Sequence, residues 1–98
     1  MDVYFQLHDI TFKWDDKKAQ QNARKHNIHF EQAAEAFFDP FLKVIDASRH
    51  YEERDAVIGM DRRWKLLFVV HTEIIEDRIH LISAREATQQ ERLYYENG

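Results

Sequence analysis

The chain of 98 residues has no cysteine, one proline and two glycines, and each shortage excludes something. Without cysteine there can be no disulfide, no thiolate nucleophile and no thiolate metal site, a composition that suits a reducing compartment. With only Pro40, Gly59 and Gly98 to break it, the sequence holds no flexible linker. A chain this short could not bury a second core, so residues 1–98 are expected to form a single domain. Long apolar runs are also missing. The longest, Leu66 to Val70, is far too short to span a bilayer, and the opening "MDVYFQLHD" has neither the basic nor the apolar stretch of a signal peptide. The expectation is a soluble, cytoplasmic protein with no membrane partner. Positive charge is scarce as well: 14 Lys and Arg stand against 18 Asp and Glu, a net −4. A nucleic-acid function would therefore have to rest on a local cluster of cations.

What is present suffices for an ordinary core, at 44% apolar and 13% aromatic residues. Val3, Phe5 and Leu7 alternate with polar neighbours, and Ile10, Phe12 and Trp14 alternate again, which predicts two strands joined near His8-Asp9. Asp15 is a good N-cap for a helix over residues 16–26. Asn27, tolerant of the left-handed conformation, should end that helix. A second helix follows, with Phe30, Ala33, Ala34 and Phe37 as its apolar stripe, and stops near "FDP" because the residue before Pro40 is pushed out of helical geometry. "KVIDA", "YEERDAVIGM", "RWKLLFVVHTEI" and "RIHLISAR" each hold a strand. The third is apolar on both parities and belongs mid-sheet. Short polar connections around Asp61-Arg62 and Glu76-Asp77 predict antiparallel neighbours. Thr88-Gln-Gln-Glu91 is a capping box opening a last helix. The fold class read from this pattern is α+β: a small antiparallel sheet, two helices packed on it, and a C-terminal helix returning onto it.

The stretch "RKHNIHF" places His26 and His29 on either side of a helix break, so their spacing has no helical geometry. There is no HExxH and no cysteine pair, and no metal or other cofactor is expected. Glu52-Glu53-Arg54 could position a substrate or act as acid and base, or it could be a solvated strand end that discourages edge pairing. Arg85 shares strand parity with Ile79, Leu81 and Ser83. Its guanidinium must snorkel outward or find an anion: Glu52, Glu53 or Glu86 as a structural partner, or a phosphate. Arg62, Arg63 and Lys65 add local positive charge at the turn into the central strand. Leu93, Tyr94 and Tyr95 are carried on the last helix, where packing along it is their ordinary role.

The order of these pieces resembles one family. "FKWDDKKAQQNARKHNIHFEQAAEAFFDP", "HYEERDAVIGM" and "HLISAREATQQERLYYE" are similar to the BrnT toxins of bacterial type II toxin–antitoxin systems, over about Ile10 to Glu96. The joint signature is F-x-W-D, K-H before a helix break, F-x-D-P, E-E-R before I-G, and I-S-A-R ahead of the last helix. The resemblance implies a RelE-like fold and a metal-independent endoribonuclease that inhibits translation. It also implies a BrnA-like ribbon-helix-helix antitoxin, through which alone the toxin would meet operator DNA. Carried over motif by motif, it points to Lys25, His26, Glu53 and Arg85 as catalytic residues and to Arg54, Arg62 and Arg63 as substrate-binding ones. The expected reaction is attack of a 2′-hydroxyl on the adjacent phosphorus, with Glu53 or His26 as base or acid and Arg85 and Lys25 on the phosphate. Three positions depart from the pattern. Asn27 replaces the usual glycine, His29 replaces a serine-like cap and should cap weakly, and residues 1–9 form an N-terminal extension. The rival expectation is a catalytically inactive, toxin-like module that only binds a protein.

Overall fold

A computed structural model describes residues 1–48, 53–72 and 78–98. The chain opens with strand β1 (Asp2–Leu7) paired antiparallel to β2 (Ile10–Asp15). Both turn residues, His8 and Asp9, have positive φ (49° and 69°), the combination that a two-residue turn needs to follow the strand twist. The N-terminal extension is thus an edge strand. The Asp15 carboxylate accepts from the Lys18 amide at 3.1 Å and starts helix α1 (Asp16–His26). Asn27 ends it with φ 58°, its amide donating to Ala23 O. Helix α2 (Phe30–Glu35) follows, with His29 at the cap position but no side-chain cap bond. A 3₁₀ turn (Ala36–Phe38) then closes at Asp39, one residue before Pro40. Strands β3 (Lys43–Asp46), β4 (Asp55–Met60), β5 (Leu66–His71) and β6 (Arg78–Glu86) precede helix α3 (Gln89–Asn97), whose Thr88–Glu91 capping box is fully formed. His50, Tyr51, Glu52 and the connection around Glu76-Asp77 lie outside the described residues.

One expectation is corrected. The sheet is not small and antiparallel but six-stranded and mixed, in the order β1-β2-β6-β5-β4-β3. Strand β2 runs parallel to β6, from Thr11 beside Arg78 to Lys13 beside His80. Parallel neighbours need a long crossover, and here both helices and the β3–β5 meander provide it. The remaining pairs are antiparallel, and β5 sits between β4 and β6 as its two apolar parities require.

The main core lies between one sheet face and helices α1 and α2. Phe12 and Trp14 of β2, Leu67 and Val69 of β5, and Ile79 and Leu81 of β6 meet Phe30, Ala33 and Ala34 there, all buried. At the corner of this layer Gly59 passes the 3₁₀ turn so closely that a Cβ would sit 2.5 Å from Ala36 O. Helix α3 covers part of the opposite face, with Tyr94 beside Ile45 and Ile58. Its far end is fastened by the Tyr95 hydroxyl, which donates to Asp39 Oδ2, while the same carboxylate accepts from the amides of Met60 and Phe41. The aspartate of F-x-D-P is thus the clamp between the last helix and the rest of the fold.

Candidate functional site

Strand alternation separates β5 and β6 into two faces, but in β6 it is reset by a register shift at Val70/His71, where Ile82 is the extra residue between Leu81 and Ser83. Leu67, Val69, Leu81 and Ala84 face the core, whereas Phe68, Val70, Ser83 and Arg85 face away from it, with Phe68 opposite Arg85 and Val70 opposite Ser83. Arg85 therefore does not share the face of Ile79 and Leu81 as their common parity predicted. Helix α3 leaves the outward-facing group partly uncovered. His26 from the end of α1, Asp46 to Ser48 at the end of β3, and Arg54 before β4 wall it in, making a cleft of about 430 Å³.

His26 reaches this face through a specific device. Pairing of β2 with β6 stops at His80, so the continuing edge of β6 needs another partner for its backbone groups. The buried side chain of Asn22 supplies it: Oδ1 accepts from Ala84 N at 2.9 Å and Nδ2 donates to Ala84 O at 2.8 Å. Nδ2 also donates to Ile28 O at 3.0 Å, holding the segment beyond the helix break. The amide of Asn22 acts as one more rung of the sheet. His26, four residues on and therefore on the same side of α1, is delivered to the cleft.

Arg85 is held tightly. Nη1 and Nη2 donate to Oε1 and Oε2 of Glu91 at 2.8 and 2.9 Å, and Nη1 also donates to Glu86 O at 3.2 Å. The guanidinium lies over the Phe68 ring, 4.2 Å from its centroid. Hydrogen bonding to Glu91, opposed by desolvation, raises the pKa of Arg85 above its ordinary value. Burial tends to raise that of Glu91, but its bonds with Arg85 and Thr88 outweigh this and hold the carboxyl below the usual range. Both groups stay charged near neutrality. Among the described residues the carboxylate partner is Glu91, and not the Glu53 or Glu86 side chain anticipated from the sequence; Glu52 lies outside them.

The opposite wall is a knot around Ser48. Its amide donates to Asp46 Oδ1 at 2.9 Å, and its Oγ accepts from Arg54 N at 3.1 Å. Ala47 N donates to Arg54 O at 2.9 Å. The bonds from Ser48 keep the Asp46 carboxyl below the ordinary pKa, so it faces the cleft as an anion and a weak base.

Of the residues expected from sequence, the cleft brings together His26, Arg54 and Arg85. Lys25 and Glu53 are exposed chain neighbours of cleft residues and do not line it. Arg62 and Arg63 are exposed in the β4–β5 turn and border separate hollows. That turn is organised by Asp61, whose Oδ1 accepts from Arg63 N and Lys65 N, and it puts the exposed Trp64 at φ 67°. Asp46, Ser48, Asn22 and Glu91 were not anticipated at the site. Glu91 had a signal in its capping box, and the others depend on tertiary contacts. Among the described residues no three His, Asp or Glu side chains converge as a metal-holding group. No helix among them is long and apolar enough to cross a membrane.

Chemically, the cleft offers an imidazole able to exchange protons, a hydroxyl, a carboxylate, and two guanidinium groups suited to phosphate oxygens. A family profile described as "Ribonuclease toxin, BrnT, of type II toxin-antitoxin system" matches residues 14–91. Among solved structures, the chain is similar to the 1.1 Å crystal structure of the Brucella abortus ribonuclease toxin BrnT. The identity is 27% and the TM-score 0.53, over 78% of this chain and 94% of that one. No curated protein matches the chain.

Proposed function

Because the chain belongs to the BrnT family of ribonuclease toxins of type II toxin–antitoxin systems, we propose that the cleft is its RNA-cleaving site and that cleavage needs no metal. The observation that carries this reading is the convergence of His26, Arg54 and Arg85 in one open cleft. A ribose 2′-oxygen attacks the adjacent phosphorus as His26 takes its proton. The bond from phosphorus to the 5′-oxygen breaks, and a proton is returned to that oxygen. The products are a 2′,3′-cyclic phosphate and a 5′-hydroxyl. Arg85 and Arg54 bind the non-bridging oxygens and stabilise their growing charge, a contribution of several kcal/mol in comparable sites. Lys25, exposed beside His26, adds attraction for the RNA backbone, whereas Glu53 points to solvent and is a weaker candidate for the base than His26. Arg62 and Arg63 contact only RNA that extends beyond the cleft.

The fold is read as RelE-like, and residues 1–98 as one toxin domain. The proposed partner is a BrnA-like ribbon-helix-helix antitoxin that silences the toxin and alone contacts operator DNA. The expected outcome in cells is inhibited translation. The test is cleavage of end-labelled RNA by purified protein in excess EDTA, with and without translating ribosomes. The 3′ ends are examined for cyclic phosphate, and wild type is compared with folded Arg85→Ala and His26→Ala variants. Cleavage lost in both variants supports the reading. A wild type that cuts nothing under either condition, yet binds an antitoxin, is the protein-binding module instead.

A further inference from the structure

The guanidinium of Arg85 has five N–H donors in one plane. Three are used: both hydrogens of Nη1, toward Glu91 Oε1 and Glu86 O, and one of Nη2, toward Glu91 Oε2. The two that remain are Nε–H and the second hydrogen of Nη2. They are parallel and share one edge of the plane, the side-on fork that matches two oxygens of a phosphate. The ring of Phe68 lies under the guanidinium, 4.2 Å from Cζ to its centroid. Arg85 lines the cleft and Glu91 does not, so the carboxylate grips the guanidinium from behind and does not occupy the place a substrate anion would take.

Resting on the ribonuclease reading above, we propose that Glu91 is a positioning residue: it holds Arg85 by its end-on fork so that the side-on fork, Nε and Nη2, meets the scissile phosphate. An arginine on a free stem would have to lose rotamer freedom as the transition state forms. Here that cost is met during folding, by a helix whose capping box already orders Glu91 through Thr88. The same carboxylate thus starts α3 and aims the cation, which ties seating of the last helix to competence of the cleft.

The decisive variant is Glu91→Gln. Glutamine also serves in a capping box, so α3 keeps its start, but the charged two-point grip on Arg85 is lost. Steady-state cleavage measured below the melting transition of both proteins should show kcat lowered roughly tenfold to a hundredfold, as misplacement of a catalytic contact typically does, with a smaller change in KM. A purely structural ion pair would lower the melting temperature and leave kcat of the folded enzyme alone. In parallel, inorganic phosphate is titrated into ¹⁵N-labelled protein while the Arg85 Nε–H resonance is followed. The wild type should shift saturably, and Glu91→Gln should shift less and at higher phosphate. A Gln variant with kcat within twofold of wild type, or faster, overturns the proposal. So does an Arg85 Nε–H that phosphate leaves in place. Should the wild type cut no RNA, the ribonuclease reading falls, while the phosphate titration still decides how the fork is placed.

Discussion

Replacing Asn22 by aspartate changes one NH₂ to an oxygen and almost nothing in volume, yet the structure predicts a large, pH-dependent loss. The bond from Ala84 N to Oδ1 survives. The two donated by Nδ2, to Ala84 O and Ile28 O, become a carboxylate oxygen facing two carbonyl oxygens at a site only 7% exposed. Two lost hydrogen bonds are worth ~2 kcal/mol and the desolvated, unpaired charge at least ~1 more. Protonation offers an escape that caps the penalty: holding a carboxyl neutral at pH 7 against an unfolded pKa of ~3.9 costs about 4.2 kcal/mol, and the neutral acid restores one donor of the two. The expected destabilisation at pH 7 is therefore about 3–5 kcal/mol, or a melting temperature lower by at least ~12 °C for a domain of this size. Because the folded variant binds this proton more tightly than the unfolded chain, its deficit relative to wild type is full above the folded pKa. It shrinks as pH falls toward ~3.9, leaving about 1 kcal/mol for the one missing bond. Urea titrations of both proteins at pH 7 and pH 4 measure it. A variant within ~0.5 kcal/mol of wild type at pH 7, or a deficit that grows toward acid, would refute the role given to this amide.

Gly59→Ala should cost ~2 kcal/mol or more, since the new methyl would lie 2.5 Å from the Ala36 carbonyl oxygen and backbone must move; chemical denaturation checks it, and a neutral result would mean the 3₁₀ turn is not tightly seated. Trp64→Gly should stabilise by about 0.5–1 kcal/mol, because Trp64 holds φ 67° while 81% exposed; unchanged or lower stability in a thermal melt counts against it. Tyr95 should titrate late in an ultraviolet phenolate titration: burial, then its bond and charge contact with Asp39, push it up to about 12, and Tyr95→Phe should remove that phase. At the acid end, burial alone would raise Asp39, but the bonds from Tyr95, Met60 and Phe41 prevail and lower it, and Glu91 is lowered too. Both contributions are complete above the unfolded carboxylate pKa values, ~3.9 and ~4.3, and fade as pH drops through the folded ones. Hydrogen exchange should then show α3 losing protection before β5, and simultaneous loss would contradict this.

Features written locally in the chain were legible: Asp15 and Thr88 as caps, Asn27 as the helix stop, the His8-Asp9 turn and the central placement of β5. Each depends on residues within a few positions of one another. The parallel β2–β6 pair was not legible, because Phe12 meets Ile79 and no alternation pattern encodes so remote a neighbour. The site divided the same way. His26, Arg54 and Arg85 could be singled out by type and motif. The grip of Glu91 on Arg85 required the angle at which α3 leaves β6, and Asn22 looked like any polar residue of a helix until the free edge of β6 was known. Asp46 stood at the end of a short strand with nothing in its surroundings to mark it.

The parallel pair has a consequence for how the molecule acquires its chemistry. Contacts between residues far apart in sequence are slow to form, since loop-closure entropy must be overcome before they stabilise anything. The cleft draws on residues from His26 to Arg85, and the Asn22 amide that delivers His26 waits on Ala84. During vectorial synthesis, a growing chain could complete the β1–β2 hairpin and α1 early and still lack both the strand and the arginine on which the cleft depends. A chain not yet extended past Ala84 and Arg85 therefore lacks the assembled cleft, however well its first hairpin and helix have formed.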